Sequence, residues 1–410
     1  MAGKVISLFS GAGGLDYGFE AAGFETVVAS DLDPTACRFL KANRDWPIVE
    51  GAIAELSTAK LLAEAKLEPK EADVLIGGPP CQPFSKSGYW ASGDAKRMED
   101  PRAKTLGEYL RVLKEAQPRA FLLENVPGLA YKGKSEGIEK LREGIASLNE
   151  EVGTRYSVEF ASLNAADYGV PQRRERVFVI GFRDGMRFEF PKPTHGGAGL
   201  LDGVEGLKPY ATAWDAIGDL ARSNDTEALR LRGKWADLLP SIPEGSNYLH
   251  HTERGEGVAL FGWRRRYWSF LLKLSRTLPS WTIQAQPGPA IGPFHWDNRR
   301  LSAREMARLQ TFPDDLDFDG FSIAECQRLL GNAVASGLAQ ILAGQIAKQL
   351  RLDVAADVSL LPEATTDTTA PTSPAPVPER YLDLVGKDTE HPGTGQGRGA
   401  LARDEEVVVA

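Results

Sequence analysis

A cysteine stands in the stretch GGPPCQPFS (residues 77–85), behind two glycines and two prolines and at the end of an apolar run. A structural cysteine is usually packed on the face of a helix or strand as a small hydrophobe. Here the rigid backbone directs Cys81 to the point where a strand should end. This placement is typical of a presented thiol, whose thiolate form is the reactive nucleophile.

Charged side chains that could support such a thiol follow two other apolar runs. FLLENVPG carries Glu124 at the end of an apolar strand, where a buried carboxyl is costly unless it is paired or functional. YGVPQRRERVFVIG begins a strand with Arg174 and Arg176, which strand alternation places on one side together with Gln172. Each feature alone has an ordinary structural explanation, but three of them at strand ends favour one shared site.

The elements that must position these residues are strands alternating with helices. Over residues 1–191, helical patterns separate short apolar runs, which predicts βαβ units in a mostly parallel, doubly wound sheet of the α/β class. In such a sheet, ligands bind beyond the carboxyl ends of the strands. The predicted strands are KVISLFS, ETVVASD, ADVLIGG, RAFLLEN and RVFVIGF.

The first strand leads into a glycine-rich turn, LFSGAGGLDYGF, that opens a helix. Such a turn lets the backbone approach a ligand closely at the helix N-terminus. Asp16 stands where a dinucleotide fingerprint needs glycine, which disfavours a nicotinamide oxidoreductase. Asp31 ends the second strand about 20 residues further on, where an acidic residue suits a ribose hydroxyl pair. Together these residues predict a nucleoside-containing cofactor.

Beyond residue 191 the composition changes three times. Residues 192–298 are rich in Gly, Pro and aromatic residues and predict a smaller, loop-rich domain, whereas 299–352 predict helices that return to the first domain. Residues 353–410 hold four Lys and Arg against eleven acidic residues and predict a disordered acidic tail. We therefore expect a chain ending near Asp353 to retain its activity.

The bulk composition limits the class of protein. Net charge is −8, but residues 251–310 hold ten Lys and Arg against four acidic residues, a local basic stretch suited to phosphates. Three cysteines without CxxC spacing and five histidines predict no metal site and a reducing compartment. The sequence shows neither a signal-peptide pattern nor an apolar run of about 18 residues, which predicts a soluble cytoplasmic protein.

Taken together, the motifs resemble those of the DNA cytosine-5 methyltransferase family. The stretches that carry the resemblance occur in the family's order and cover residues 4–350 apart from the variable middle: LFSGAGG, GGPPCQPFS, ENVPG, YGVPQRRERVFVIG, RRLSAREMARLQTFPDD and RLLGNAVASGLA. The resemblance implies a Rossmann-like S-adenosylmethionine-dependent methyltransferase fold, with 192–298 as the target-recognition domain. It also implies a monomer that flips a cytosine from double-stranded DNA, forms a covalent Cys81 adduct, and is associated with a restriction endonuclease.

The resemblance further implies roles for individual residues. The catalytic residues would be Cys81, Glu124, Arg174 and Arg176. S-adenosylmethionine would be bound by Phe9, Gly11, Ala12, Gly13, Gly14, Asp31, Leu32, Pro79, Leu106 and Asn332. DNA would be contacted by Gln82, Ser85, Ser87, Arg102, Gln172, Arg264, Arg265, Arg266, Thr282 and Ile283.

Two residues depart from the family's usual pattern, and three alternative classes of protein remain at this point. Ala52 stands where the family often has an Asp that accepts from the adenine amine, and Leu32 stands where a large aromatic often stacks. A transfer-RNA cytosine-5 methyltransferase would carry a Cys-Phe-Thr insertion, which this sequence lacks. A non-catalytic DNA-binding relative would have lost Cys81, Glu124 or Arg176, and a nicotinamide oxidoreductase is disfavoured by Asp16. The sequence contains no code for the DNA site that is recognised.

Overall fold

The computed structural model describes residues 2–80, 104–126, 136–197, 206–222, 227–262, 268–354, 358–365 and 369–386. Its centre is a seven-stranded sheet that includes all five predicted strands. Apolar and β-branched residues fill these strands, and both faces of the sheet are covered, as parallel sheets require. The strands of the sheet are β1 (Gly3–Leu8), β2 (Phe24–Asp31), β3 (Ile48–Glu50), β4 (Val74–Gly77), β5 (Ala120–Asn125), β6 (Glu159–Asn164) and β8 (Glu175–Phe182).

The strand order is β3-β2-β1-β4-β5-β8-β6. The first five strands in that order run parallel, whereas β8 is antiparallel to both β5 and β6. The order reverses direction at β1 and β4, so the loops that follow these strands lie at the switch point where α/β sheets bind ligands. This arrangement confirms the predicted α/β fold of the methyltransferase type.

Helices cover the two faces of the sheet. On one face α3, α4 and α5 pack against apolar side chains of β1, β4 and β5, and on the other face α1 and α9 do so. Numbered in chain order, the helices are α1 (Gly14–Ala21), α2 (Pro34–Asn43), α3 (Thr58–Ala65), α4 (Lys104–Ala116), α5 (Glu136–Val152), α6 (Ala213–Ile217), α7 (Ala303–Leu309), α8 (Ile323–Asn332) and α9 (Ser336–Leu350).

The contact between α1 and α9 joins the start of the chain to its last long helix. A Cβ atom on Gly18 would lie 2.4 Å from the Cβ of Ala339, so the helices can approach this closely only because position 18 is glycine. The stretch Ile323–Leu350 is apolar and long enough to pass a length-and-composition test for a membrane span, but 72% of its most apolar window is buried within the fold. It is therefore placed as a core segment of the first domain.

The second region has little regular structure, as its composition predicted. Its short strands are β9 (His195–Gly196), β10 (Lys208–Pro209) and β11 (Ser280–Trp281). A separate apolar cluster lies in the predicted recognition domain. We call it the recognition-domain core, and it contains Leu231, Trp235, Leu238, Tyr248, Phe261 and Phe270. β11 pairs in parallel with β7 (Gln172–Arg173), so a strand of this region joins the arginine-rich segment of the first domain.

The tail differs from the prediction of disorder over 353–410. Residues 358–365 and 369–386 pack against the apolar cores of both domains. Leu361 contacts the first-domain core, and Tyr381 is 3% exposed within the recognition-domain core. The average composition of the tail is polar, but these single apolar side chains anchor it. Residues 387–410 lie outside the described residues.

We predict that Gly18→Ala lowers the free energy of unfolding by about 1–3 kcal/mol, since the new methyl group would overpack the α1–α9 contact. The added Cβ would also lie 2.5 Å from the carbonyl oxygen of Ser336. Gly344→Ala is the matched control on α9, where no atom lies within 4 Å of an added Cβ. This control should gain about 0.5–1 kcal/mol. Urea denaturation measures both, and equal stabilities would contradict the close contact.

Candidate active site

Glu124 and Arg176 form an ion pair at the edge of the sheet. The Nε atom of Arg176 lies 2.9 Å from Oε1 of Glu124, and both side chains are nearly buried. The pair forms because β5 and β8 are antiparallel neighbours, with Glu124 opposite Phe178. Two charged groups predicted from separate motifs therefore meet in one place.

The same carboxylate touches the backbone that leads to Cys81. A Cβ on Gly78 would lie 2.9 Å from Oε2 of Glu124, so glycine is needed for this close approach. Asn125 donates from Nδ2 to the carbonyl oxygen of Pro79 at 3.1 Å, and its Oδ1 accepts from the backbone N–H of Val126. Asn125 thus fixes the segment that precedes Cys81. Asn125 was not among the predicted site residues, although its position beside Glu124 at a strand end is a signal of the same kind.

Burial and the arginines have opposite effects on Glu124. Burial raises the pKa of Glu124 above its ordinary value, and the nearby positive charges of Arg176 and Arg174 lower it in part. A carboxyl with a raised pKa carries a proton more readily near neutral pH than an exposed one. The site therefore holds a group suited to proton donation.

Arg174 is buried and bonds to backbone carbonyls of two distant segments. Its Nη2 donates to the carbonyl oxygens of Gly331 at 2.9 Å and Ala333 at 2.5 Å, and Nη1 reaches that of Ile283 at 3.5 Å. Burial lowers the pKa of Arg174 well below its ordinary value, as does the neighbouring charge of Arg176. These contacts make Arg174 a residue that joins the two domains and the C-terminal helices beneath the ion pair.

The predicted DNA-contacting pair Thr282 and Ile283 lies directly after β11. Thr282 donates from Oγ1 to the carbonyl oxygen of Arg173 at 2.7 Å, and Ile283 is 1% exposed. Gln172 has no exposed surface, and neither of its amide atoms has a hydrogen-bond partner among the described residues. The structure therefore brings these residues to the site, with Ile283 and Gln172 buried beneath its surface.

The glycine-rich turn is tied to the end of β2 by Asp31. Its Oδ2 accepts from the backbone N–H of Gly11 at 2.8 Å, and its Oδ1 accepts from that of Asp33 at 2.8 Å. Burial raises the pKa of Asp31. Each carboxylate oxygen keeps a second lone pair that can accept from a hydroxyl. An added Cβ on Gly11 would meet nothing within 4 Å, so the turn leaves open space beside this carboxylate.

The other predicted cofactor residues lie at the same switch point or border it. Leu32, next to Asp31, is 67% exposed, and Phe9 has a positive φ of 55°, a strained conformation that is often found at functional sites. Asn332 is exposed at the end of α8, and Arg328 of that helix forms an ion pair with Asp33. Ala52 is half-buried and caps a short 3-10 helix without a side-chain acceptor. Ala12, Gly13, Gly14 and Pro79 are buried, and Leu106 packs on the adjoining apolar core.

Asp16, in the first turn of α1, is fully buried. Neither carboxylate oxygen has a hydrogen-bond partner among the described residues, and the nearby Ser7 hydroxyl pairs with Ser10 at 2.8 Å. Burial raises the pKa of Asp16 to about 7, although Ser7 opposes the shift. Asp16, which stands where a dinucleotide fingerprint needs glycine, is thus a buried titratable group beside the glycine-rich turn.

Several predicted site residues lie outside the described residues. They are Cys81, Gln82, Ser85, Ser87 and Arg102 in one segment, and Arg264, Arg265 and Arg266 in another. Their roles stay predictions.

We predict that Asp16 makes stability depend on pH. Between pH ~4 and ~7 the folded protein holds a proton on Asp16 that the unfolded chain releases, so the free energy of unfolding falls as pH rises, by up to ~1.4 kcal/mol per pH unit. Asp16→Asn should flatten this slope in urea denaturation across that range. Glu64→Gln, at an exposed position of α3, should leave the slope unchanged. A slope that Asp16→Asn does not alter would contradict the assignment.

We predict that Arg174→Lys lowers the free energy of unfolding by about 3 kcal/mol, because an ammonium cannot reach all three carbonyl groups and remains buried. Arg173→Lys is the adjacent control, since Arg173 is only half-buried and its guanidinium lies 5.0 Å over the ring of Trp281. The control should lose less than about 1 kcal/mol. Thermal and urea denaturation test both, and undiminished stability of Arg174→Lys would show that Arg174 has no joining role.

Comparisons with known proteins show which family the chain belongs to. A family model described as C-5 cytosine-specific DNA methylase matches residues 3–348. The chain is 41% identical over 373 residues to the Type II methyltransferase M.SacI of Streptomyces achromogenes, covering 84% of this chain and 93% of that protein. It is 44% identical over 236 residues to M.AquIA of a Picosynechococcus strain, covering 56% and 93%.

A solved structure shows the same fold at lower sequence similarity. An Escherichia coli prophage protein named as a DNA modification methyltransferase superposes with a TM-score of 0.59 and 24% identity, over 85% of this chain and all of that chain. The ion pair of Glu124 and Arg176, the glycine-rich turn and the sheet order lie within the region that the family model matches. The chain belongs to the C-5 cytosine-specific DNA methylases and is a DNA cytosine-5-methyltransferase.

Proposed function

We propose that the protein transfers a methyl group from S-adenosylmethionine to carbon 5 of one cytosine in a short double-stranded DNA sequence. The base would be flipped out of the duplex, since carbons 5 and 6 cannot be reached while it is stacked. Cys81 would form a transient covalent bond to carbon 6. The protein would act as a monomer in the cytoplasm.

The observation that carries this proposal is the contact of Glu124 with both Arg176 and Gly78. The carboxylate is paired at 2.9 Å on one side and lies against the backbone three residues before Cys81 on the other. A buried carboxyl, a guanidinium and a presented thiol are the groups needed to bind and activate a pyrimidine ring. A nucleophile alone would form an unstable ring anion, whereas a proton donor beside it removes that charge.

The residues present fit S-adenosylmethionine. Asp31 offers acceptor lone pairs to the ribose hydroxyls, and the exposed Leu32 offers an apolar surface to the adenine. Gly11 leaves space for the methionine part beside the N-terminus of α1. When bound, S-adenosylmethionine supplies an electrophilic methyl group to carbon 5. The absence of a side-chain acceptor at Ala52 implies that another group bonds the adenine amine.

The chain's own residues would act in a fixed order. The Cys81 thiolate adds to carbon 6 while Glu124 donates a proton to ring nitrogen 3, so carbon 5 becomes nucleophilic. Arg176 holds Glu124 and the base carbonyl in place during this step. After carbon 5 has gained the methyl group, a solvent water molecule takes the carbon 5 proton, and the sulfur–carbon bond breaks so that its electron pair returns to Cys81 as a thiolate. Glu124 recovers its proton from nitrogen 3. The cytosine ring is then aromatic again and Cys81 is free.

The surface beside the ion pair suits a nucleic acid. The guanidinium of Arg173 stacks on Trp281, whose ring meets that of Trp268 edge-to-face at 5.5 Å. Trp268 is 46% exposed. Cations and exposed aromatic rings bind phosphates and unstacked bases. This surface supports a DNA-binding role for the second region. A role in a restriction–modification system is inferred from the relatives, which are named Type II methyltransferases.

The proposal predicts cytosine methylation that depends on Cys81. DNA from a host without its own cytosine methylation, expressing this chain, should resist bisulfite conversion at one cytosine of a short sequence. Cys81→Ser should lower the methylation rate by at least about 100-fold, because the hydroxyl is a far weaker nucleophile. Cys326→Ala, at a free and buried cysteine of α8, is the matched control and should methylate normally.

The same preparations distinguish the transfer-RNA alternative. Radiolabelled S-adenosylmethionine should label DNA and leave transfer RNA unlabelled. Label on RNA alone would replace the DNA substrate in the proposal. Equal methylation by wild type and Cys81→Ser would remove the covalent adduct from the mechanism.

A further inference from the structure

We propose that residues 358–365 and 369–386 act as a strap that positions the recognition domain on the catalytic domain for DNA binding. We call the described parts, 358–365 and 369–386, the C-terminal strap. They follow the region matched by the family model, which ends at residue 348. The inference rests on the proposed function, because positioning is argued for site-specific DNA binding.

The first anchor of the strap lies on the catalytic domain. Gln340 of α9 donates from Nε2 to the carbonyl oxygen of Val358 at 2.7 Å, and its Oε1 accepts from the N–H of Leu360 at 3.0 Å. The side chain of Leu361 enters a socket left by two glycines: its methyl carbons lie 2.7 Å and 3.1 Å from where Cβ atoms on Gly337 and Gly169 would be. Any side chain at Gly337 would displace Leu361.

The second anchor lies at the beginning of α6. Thr365 donates its backbone N–H to Oδ1 of Asp215 at 2.7 Å. The other oxygen of Asp215 caps α6 by accepting from the N–H of Thr212 at 2.7 Å. One carboxylate therefore fixes both the helix and the strap.

The third anchor lies in the recognition-domain core. The ring of Tyr381 stacks on Trp235 with a centroid separation of 5.4 Å and an interplanar angle of 19°. Its hydroxyl oxygen is 2.6 Å from the carbonyl oxygen of Lys234 and 2.5 Å from Oδ1 of Asp237, and Arg380 forms an ion pair with the same Asp237. The N–H of Ala375 donates to the carbonyl oxygen of Pro240 at 2.9 Å.

Residues 358–365 of the strap, which carry the first two anchors, also line a cavity. The cavity has a volume of about 1160 Å³, and Trp214, Trp296 and Asp219 line it opposite residues 358–365. The holding contacts are therefore concentrated at the anchors, and the loss of one anchor releases one end. A strap bound at both ends lowers the freedom of the recognition domain before DNA arrives, which strengthens binding without adding a DNA contact.

The test compares variants of the full chain at the third anchor. Tyr381→Ala removes the stack, Tyr381→Phe keeps it, and Leu382→Ala alters a neighbouring side chain that is 44% exposed. We expect Tyr381→Ala to raise the KM for DNA about tenfold, the order of effect of a lost aromatic pair. We also expect it to raise methylation of DNA sequences that differ by one base from the recognised sequence, relative to methylation of the recognised sequence itself. The kcat at saturating DNA and the Kd for S-adenosylmethionine should stay within about twofold. Tyr381→Phe and Leu382→Ala should resemble wild type.

Other outcomes would overturn the strap. The strap would be wrong if Tyr381→Ala and a chain ending at Asp353 both kept the wild-type KM for DNA and the wild-type discrimination against one-base variants of the site. The tail would then have no positioning role, as its composition predicted. A parallel fall of kcat and cofactor affinity would indicate general destabilisation. A wild-type chain that methylates no DNA would reject the proposed function instead. In that case hydrogen exchange decides the positioning role, since amides of residues 229–242 must exchange faster in Tyr381→Ala.

Discussion

A buried guanidinium joins the parts of the chain from which the active-site edge is built. Arg174 bonds to carbonyl groups just after β11 and at the end of α8, more than 100 residues away from it in sequence. A charge with so little access to water is stable only while these oxygens surround it. The positions of Thr282, of the end of α8 and of the neighbouring Arg176 therefore depend on one another. The second region is therefore attached to the first domain through Arg174 as well as through its connecting segments.

The ion pair of Glu124 and Arg176 balances two opposing requirements. Burial favours a neutral Glu124, which can donate a proton, while Arg176 and Arg174 favour its carboxylate, which can accept one. A residue that must give a proton and later take it back benefits from such a balance. Asp31 is held similarly, since burial raises its pKa while two backbone N–H groups oppose the shift. The two carboxyls differ in their partners: an arginine side chain for Glu124 and backbone amides for Asp31.

The sequence predicted those features that depend on local order along the chain. Five apolar runs became strands, and Glu124 met Arg176 because β8 runs antiparallel to β5, which places the start of β8 beside the end of β5. Strand alternation grouped Gln172, Arg174 and Arg176, but it could not show that Arg174 bonds to carbonyls from residues 283, 331 and 333. The tail shows the same limit. Its composition is that of a disordered segment, yet Leu361 and Tyr381 find sockets formed by residues far away in sequence.

The packing of α9 on α1 has a consequence for the synthesis of the protein. The glycine-rich turn opens α1 within the first 21 residues, but the helix that covers the opposite side of α1 ends only at Leu350. At about 5–20 residues per second, roughly 20–70 s separate the emergence of the two helices from the ribosome. During this interval the apolar face of α1 lacks its partner. The nascent chain therefore completes the packing around its glycine-rich turn only after α9 has emerged, and an abortive fragment that stops before α9 would expose this face to chaperones and proteases.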